Sequence, residues 1–235
     1  PPLHWLRMLF VLRGSILLTI APQLIATTVF AIVVTVLHGA LLSWTVSLNF
    51  VPFSLIGLTL AIFLGFRNST SYARYWEART LWGMLLIETR ALTRQSLTLT
   101  RAPQETAPLV AKLCAFAHTL RHQLRRTDPR ADLQLFLSDA DAERIAQSRF
   151  PASTALMMCS EWLGDRLRRA EIEPAIVPSC ERSIAQLGAA LGGGERIANT
   201  PIPFTYSVII HRSIYLYCFW LPFGLLSSIG SMTPV

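Results

Sequence analysis

No aspartate, glutamate, lysine or arginine occurs from Gly14 to Phe66, and none occurs again from Ser213 to Val235. A helix that crosses a bilayer needs about 20 predominantly apolar residues, whereas the apolar core of a signal peptide spans only about 7–15. The first stretch therefore holds two crossings, expected at Ser15–Leu37 and Val51–Phe66. HGALLSWTVSLN joins them, with Gly39 and Asn49 to turn the chain and Trp44 suited to a membrane interface. A third span is expected from about Ser213, with Trp220 and Pro222 inside it. All 14 acidic residues lie between Glu77 and Glu195. Only 15% of the 235 residues are charged, against about 25% in soluble domains, and the mean hydropathy is +0.43. This is the pattern of an all-α integral membrane protein with a large helical insert.

The net charge is +7. No nucleic-acid-reading motif or dense basic cluster accompanies it, so no nucleic acid is expected as a partner. Lys112 is the only lysine. The arginines instead set orientation. Arg7 and Arg13 precede the first span, Arg67, Arg74 and Arg79 follow the second, and Arg196 and Arg212 precede the third. Positive residues favour the cytoplasmic side, which puts the N-terminus and residues 67–212 in the cytoplasm of a multi-pass inner-membrane protein. Cys114, Cys159, Cys180 and Cys218 have no paired spacing, so a disulfide framework is not expected.

Three regions follow: 1–66 with the N-terminal segment and spans one and two, 67–202 as a cytosolic helical region, and 203–235 with span three. After Pro52 no proline appears until Pro103, so one helix about 70 Å long can run from the membrane into the insert, with or without a break at Thr98–Arg101. Helices are expected at Ala107–Arg126, from a Ser138 cap through Gln147, from a Ser153 cap through Arg169, and at Glu181–Leu191. Thr127-Asp128-Pro129 reads as a turn, Pro174 and Pro178 as interruptions, and LGGGER with TPIPF as a break before the last span. Sustained period-two alternation is absent, so almost no sheet is expected.

In the second span Leu58, Ile62 and Phe66 are four apart and share a helix face. Gly57, Ala61 and Gly65 form a second stripe of small residues, the kind that lets helices pack closely in lipid. The large face either touches lipid or lines a pore. The span ends in RNSTSYARYWEAR, where Tyr72, Tyr75 and Trp76 suit the headgroup layer and Glu77 is three residues from Arg74. Cys114, His118 and His122 have zinc-like spacing without an apparent fourth ligand, which favours a packing face over a metal site. Asp139, Asp141 and Glu143 lack the glycine and terminal glutamate of a calcium loop and fit a helix N-terminus. Arg212, beside His211 at the start of the third span, is read as snorkelling to the interface. GxSxG, HExxH and a phosphate loop are all missing, so no catalytic arrangement, metal or cofactor is expected and the chain does not read as an enzyme.

FSLIGLTLAIFLGFRNSTSYARYWEARTLWG, together with GGGERIANTPIPFTYSVIIHRSIYL, resembles the bestrophin family, most closely its bacterial members. The likeness runs from His4 and Trp5 to the MTP near the end, and is looser in the insert, chiefly at HQLRRTDP.ADL. Its motif positions here are Arg67, Asn68, Ser69, Tyr72, Arg74, Glu77 and Arg79, then Glu195, Arg196, Pro201 and Pro203. The resemblance implies a homopentameric helical ion channel in a lipid bilayer, with a hydrophobic neck falling on Leu58, Ile62 and Phe66 and a cytosolic constriction on Ile176. It implies monovalent ions, sodium being favoured for a bacterial member and chloride for eukaryotic ones. Family chains continue past the MTP into a fourth span and an acidic segment that helps bind regulatory calcium in eukaryotes. This sequence stops at Val235, where three spans would leave it outside, so no calcium site is carried over. The reading from another class is a membrane-anchored scaffold or sensor whose cytosolic helices bind a partner.

Overall fold

The computed structural model describes residues 16–37, 40–41, 44–45 and 50–234. The expectations for His4, Trp5, Arg7, Arg13, Gly39 and Asn49, and for the side chain of Trp44, lie outside what it describes. Its helices are α1 (Leu17–Val36), α2 (Phe50–Leu99), α3 (Thr106–Arg125), α4 (Arg130–Leu133), α5 (Asp139–Ala146), α6 (Pro151–Arg168), α7 (Val177–Asn199) and α8 (Phe204–Ile229). Short 3₁₀ turns at Pro103–Glu105 and Gly230–Met232 complete the helical structure. Between α1 and α2 the strands β1 (Ala40–Leu41) and β2 (Trp44–Thr45) pair antiparallel, Ala40 opposite Thr45 and Leu41 opposite Trp44.

The described residues up to Ser69 and from Ile202 onward form one unit, and Thr70–Pro201 form another. In the first, Leu17–Val36, Val51–Leu99 and Phe204–Leu226 are helices long and apolar enough to cross a membrane. Few of their side chains are covered: Leu18 is 71% exposed, Ile25 62% and Leu216 62%. Such surface is costly in water and expected in hydrocarbon. The threonines fit because their hydroxyls donate back to carbonyls four residues earlier, Thr27 to Gln23 at 2.8 Å and Thr59 to Leu55 at 2.9 Å. Phe30 of α1 stacks on Phe219 of α8 at 5.0 Å. Phe53 and Leu60 are the buried residues of the apolar half of α2. Gly224 makes room for Phe53, since a Cβ there would lie 2.5 Å from its ring.

The second unit has a conventional core. Leu109, Leu113, Phe116 and Leu120 recur at helical spacing on α3 and are buried. They meet Ala155, Met158, Cys159 and Leu163 of α6 and Ile184, Leu187 and Leu191 of α7, with Leu85 and Leu92 supplied by α2. Burial pushes the Cys159 thiol up to about 12, which makes it a packing residue without thiolate chemistry.

Several boundaries differ from the sequence reading. α2 is unbroken from Phe50 to Leu99. Ser138 does cap α5, accepting from the Asp141 amide at 3.3 Å, which places Asp139 and Asp141 in a first turn where acids are favoured. Ser153 caps nothing, because Pro151 opens α6 two residues earlier and needs no amide partner there. Pro178 likewise sits in the first turn of α7 and does not interrupt it. α7 passes straight through LGGGER and ends only at Asn199. α8 starts at Phe204, nine residues ahead of the expected Ser213.

Candidate functional site

Leu58, Ile62 and Phe66 are 61%, 51% and 64% exposed, so one face of α2 presents large apolar side chains that are mostly exposed among the described residues. The neighbouring small stripe is used differently along its length. A Cβ on Gly57 would meet the hydroxyl of Tyr217 in α8 at 2.8 Å, so this glycine serves a close approach inside one chain. Ala61 is exposed, and Gly65 has nothing within 4 Å of where a Cβ would stand.

Past that span, α2 carries the arginine motif. Arg67 is half-buried, while Asn68, Ser69, Tyr72, Tyr75, Trp76 and Arg79 are exposed. Arg74 and Glu77 do not pair with each other as their spacing implied. The Arg74 guanidinium donates to the carbonyl of Ile197 at 2.7 Å and to that of Thr200. These belong to the end of α7, where helical carbonyls have no partner of their own and positive charge is favoured. Glu77 pairs with Arg196 on the same stretch of α7. Glu195 accepts from the amide of Gln123 in α3 at 2.5 Å, and the Gln123 carbonyl oxygen accepts from the Ala152 amide of α6 at 3.0 Å. The two most specific motifs of the sequence thus meet as a clasp on the last turns of α7. Pro201 and Pro203 follow in the non-helical Thr200–Pro203 link, where neither can donate an amide to continue a helix.

His118 and His122 are drawn to Asp132. Its Oδ2 accepts from His118 Nδ1 at 2.7 Å and from His122 Nε2 at 2.9 Å, and Arg121 reaches the same oxygen. The hydrogen bonds from His118 and His122, with the Arg121 charge, hold the Asp132 carboxyl down at about 2. His122 Nδ1 and Thr127 Oγ1 are 2.7 Å apart. Among the described residues no group of three His, Cys, Asp or Glu side chains is arranged to hold a metal ion. The stretch HQLRRTDP.ADL, which carries the looser likeness in the insert, forms this corner between α3 and α4. Ile176 sits at the start of α7, half-buried against the core.

One buried arginine, paired with two acids, gave no signal in the sequence. Arg166 of α6 lies 2.7 Å from Glu171 and 3.2 Å from Glu105, with its guanidinium 5.8 Å from the Trp162 ring. The Trp162 indole donates to the Glu105 carbonyl at 3.1 Å. Three chain segments are pinned there, so its role is architectural.

These features define a helical membrane protein with an exposed apolar face on its second spanning helix and a charged clasp farther along the same helix. Sequence comparison gives the family: the profile of the Bacterial/Fungal Bestrophin protein family matches residues 1–235, and the chain belongs to the bestrophin family. A voltage-dependent anion channel-forming protein of Ralstonia nicotianae is 47% identical over 100% of this chain and 78% of its own. One of Escherichia coli is 38% identical over 100% of this chain and 77% of its own. A crystal structure of a bacterial bestrophin homolog from Klebsiella pneumoniae superposes with a TM-score of 0.86 at 37% identity, covering 94% of this chain and 81% of that one.

Proposed function

We propose that this chain is one subunit of a homopentameric channel that passes monovalent ions through a central pore, not an enzyme. The observation that carries the reading is the largely exposed face Leu58, Ile62 and Phe66 on a helix apolar enough to span a membrane, in a chain of the bestrophin family. The three candidate spans among the described residues are too few to enclose water alone, whereas a closed ring of identical chains turns that face inward. Five copies of each side chain would then form stacked apolar rings, a neck that conducts only when it wets or widens. Ile176 would form a second constriction in the cytosolic part. The arginine distribution supports an orientation with the N-terminus and residues 67–212 on the cytoplasmic side of the inner membrane. Calcium is not invoked as a regulator.

The neck has no ring of charge, so it does not itself choose the sign of the ion. Resemblance to bacterial bestrophins favours sodium. The names of the Ralstonia and Escherichia relatives, as anion channel-forming proteins, favour a second reading with chloride. Reconstituted liposomes loaded with a sodium gradient and then a chloride gradient separate the two by which one dissipates. An assembled protein that dissipates neither would end the channel reading. Topology is tested independently: cysteine at Ser47 should react with an impermeant reagent outside intact cells, and cysteine at Arg101 should not.

A further inference from the structure

Two cavities in the 70–201 unit share a wall, and their chemistry differs. The first, about 180 Å³, is an apolar slot between α2, α3 and α7. Its floor is buried, with Leu85 at 7%, Leu120 at 3% and Ala190 at 2% exposed. Ala190, Gly194 and Ala198 face it at four-residue spacing along α7, with Ala78 opposite on α2. The space exists because these positions are small: a Cβ on Gly194 would already approach Leu124 to 3.3 Å. An apolar slot of this size holds water poorly and matches the volume known to take benzene, about six carbons.

The second cavity, about 390 Å³, is polar and is walled by the same Leu124 and Ala198 together with Gln123, Arg126, Glu195 and Asn199. Gln123 is committed at both ends of its amide, to Glu195 and to the Ala152 backbone. Arg126 is not committed. It ends α3 in the left-handed conformation with φ 56°, is exposed, and its guanidinium has no hydrogen-bond or ion-pair partner among the described residues. A residue other than glycine held there carries a conformational cost. Asn199 also offers an unengaged side-chain amide among the described residues.

We propose that the paired cavities form a binding site for a small monocarboxylate, with an apolar body of about six carbons in the slot and its carboxylate at Arg126 and Asn199. The apolar volume matches a body of about six carbons, which suits a short free acid better than a two-chain phospholipid. Glu195 borders the same mouth with one oxygen taken by Gln123, and its charge opposes the ligand's. The site is independent of whether ions pass through the protein.

Equilibrium dialysis of labelled hexanoate against the full chain in nanodiscs, with empty nanodiscs as the blank, tests it. The native protein should retain hexanoate above the blank, hexan-1-ol should compete more weakly, and hexylamine should not compete. Arg126→Gln should weaken retention about three-fold, the scale of one exposed ion pair, and Glu195→Gln should strengthen it. Ala198→Leu, at an exposed position, should fill the slot and abolish retention; Ala78→Leu serves the same purpose should the first variant not assemble. Retention no higher than the blank, unchanged retention in an assembled slot-filled variant, or competition by hexylamine equal to that by hexanoate would each overturn the site.

Discussion

Arg74 caps the carbonyl of Ile197 in the last turn of α7 and that of Thr200 just past its end, where no later turn of the helix supplies an amide. Arg74→Ala should therefore lower the thermal midpoint, with a loss of about 1–3 kcal/mol. Arg74→Lys should recover part of it, because an ammonium cannot fork across both oxygens; equal midpoints for alanine and native protein would refute the cap. Asp132 gives a pH signature. Its carboxyl falls from an ordinary 3.8 to about 2 in the fold. A depressed carboxylate contributes stability that is complete above the unfolded value and lost as pH falls through the folded one. Unfolding should thus become easier between about pH 4 and pH 2, and Asp132→Asn should flatten that limb in a denaturant series run at each pH. An unaltered acid limb in the variant would show that the clustered histidines hold nothing there. The sequence displayed all these side chains but paired Arg74 with Glu77, three residues apart. Their true partners, Ile197, Thr200 and Arg196, lie at the end of a helix more than a hundred residues away, and only tertiary packing brings that helix end near.

Helix identity was legible from charge and periodicity, and helix length much less so. Gly192, Gly193 and Gly194 read as a break, yet α7 continues through them, because close packing compensates the poor helix propensity of glycine. A Cβ on Gly193 would stand 2.8 Å from both methyls of Leu81 on α2, whereas one on Gly192 meets nothing within 4 Å. These adjacent glycines should respond oppositely. Gly193→Val should cost about 1–3 kcal/mol by overpacking, and Leu81→Ala in the same chain should relieve it. Gly192→Ala should gain up to about 1 kcal/mol from helix propensity. Thermal midpoints of the four proteins settle the matter, and a neutral Gly193→Val would mean that α2 and α7 are not in contact at this level. The start of α8 was misplaced for a related reason. Arg212 marked where charge stops, but the hydrogen-bonded helix begins at Phe204, directly after Pro203.

At the scale of the whole molecule, a ring is a property of several chains, so one sequence shows only what each copy offers. Spacing put Leu58, Ile62 and Phe66 on one face, and the structure leaves that face largely exposed among the described residues. Lipid and pore both account for such exposure, and a substitution that changes bulk without changing polarity distinguishes them. Replacing all three by alanine removes the branched or aromatic end of each side chain and keeps the helix, alanine being the best helix former. If the face lines a neck, five shortened side chains at each level widen the passage, and the apolar barrier to wetting falls. Ion flux per assembled ring should then rise above that of the native protein. Assembly should persist, because the small residues Ala61 and Gly65 are unaltered, and each chain should keep its fold because the close approach of Gly57 to Tyr217 is intact. If the face meets lipid, the pore is untouched, and flux stays level or falls with the loss of folded protein. Crosslinking to count assembled rings, followed by flux from liposomes of known protein content, isolates the per-ring value. A well-assembled triple variant with native flux would move these residues out of the neck and leave the passage to be sought on another face of the chain.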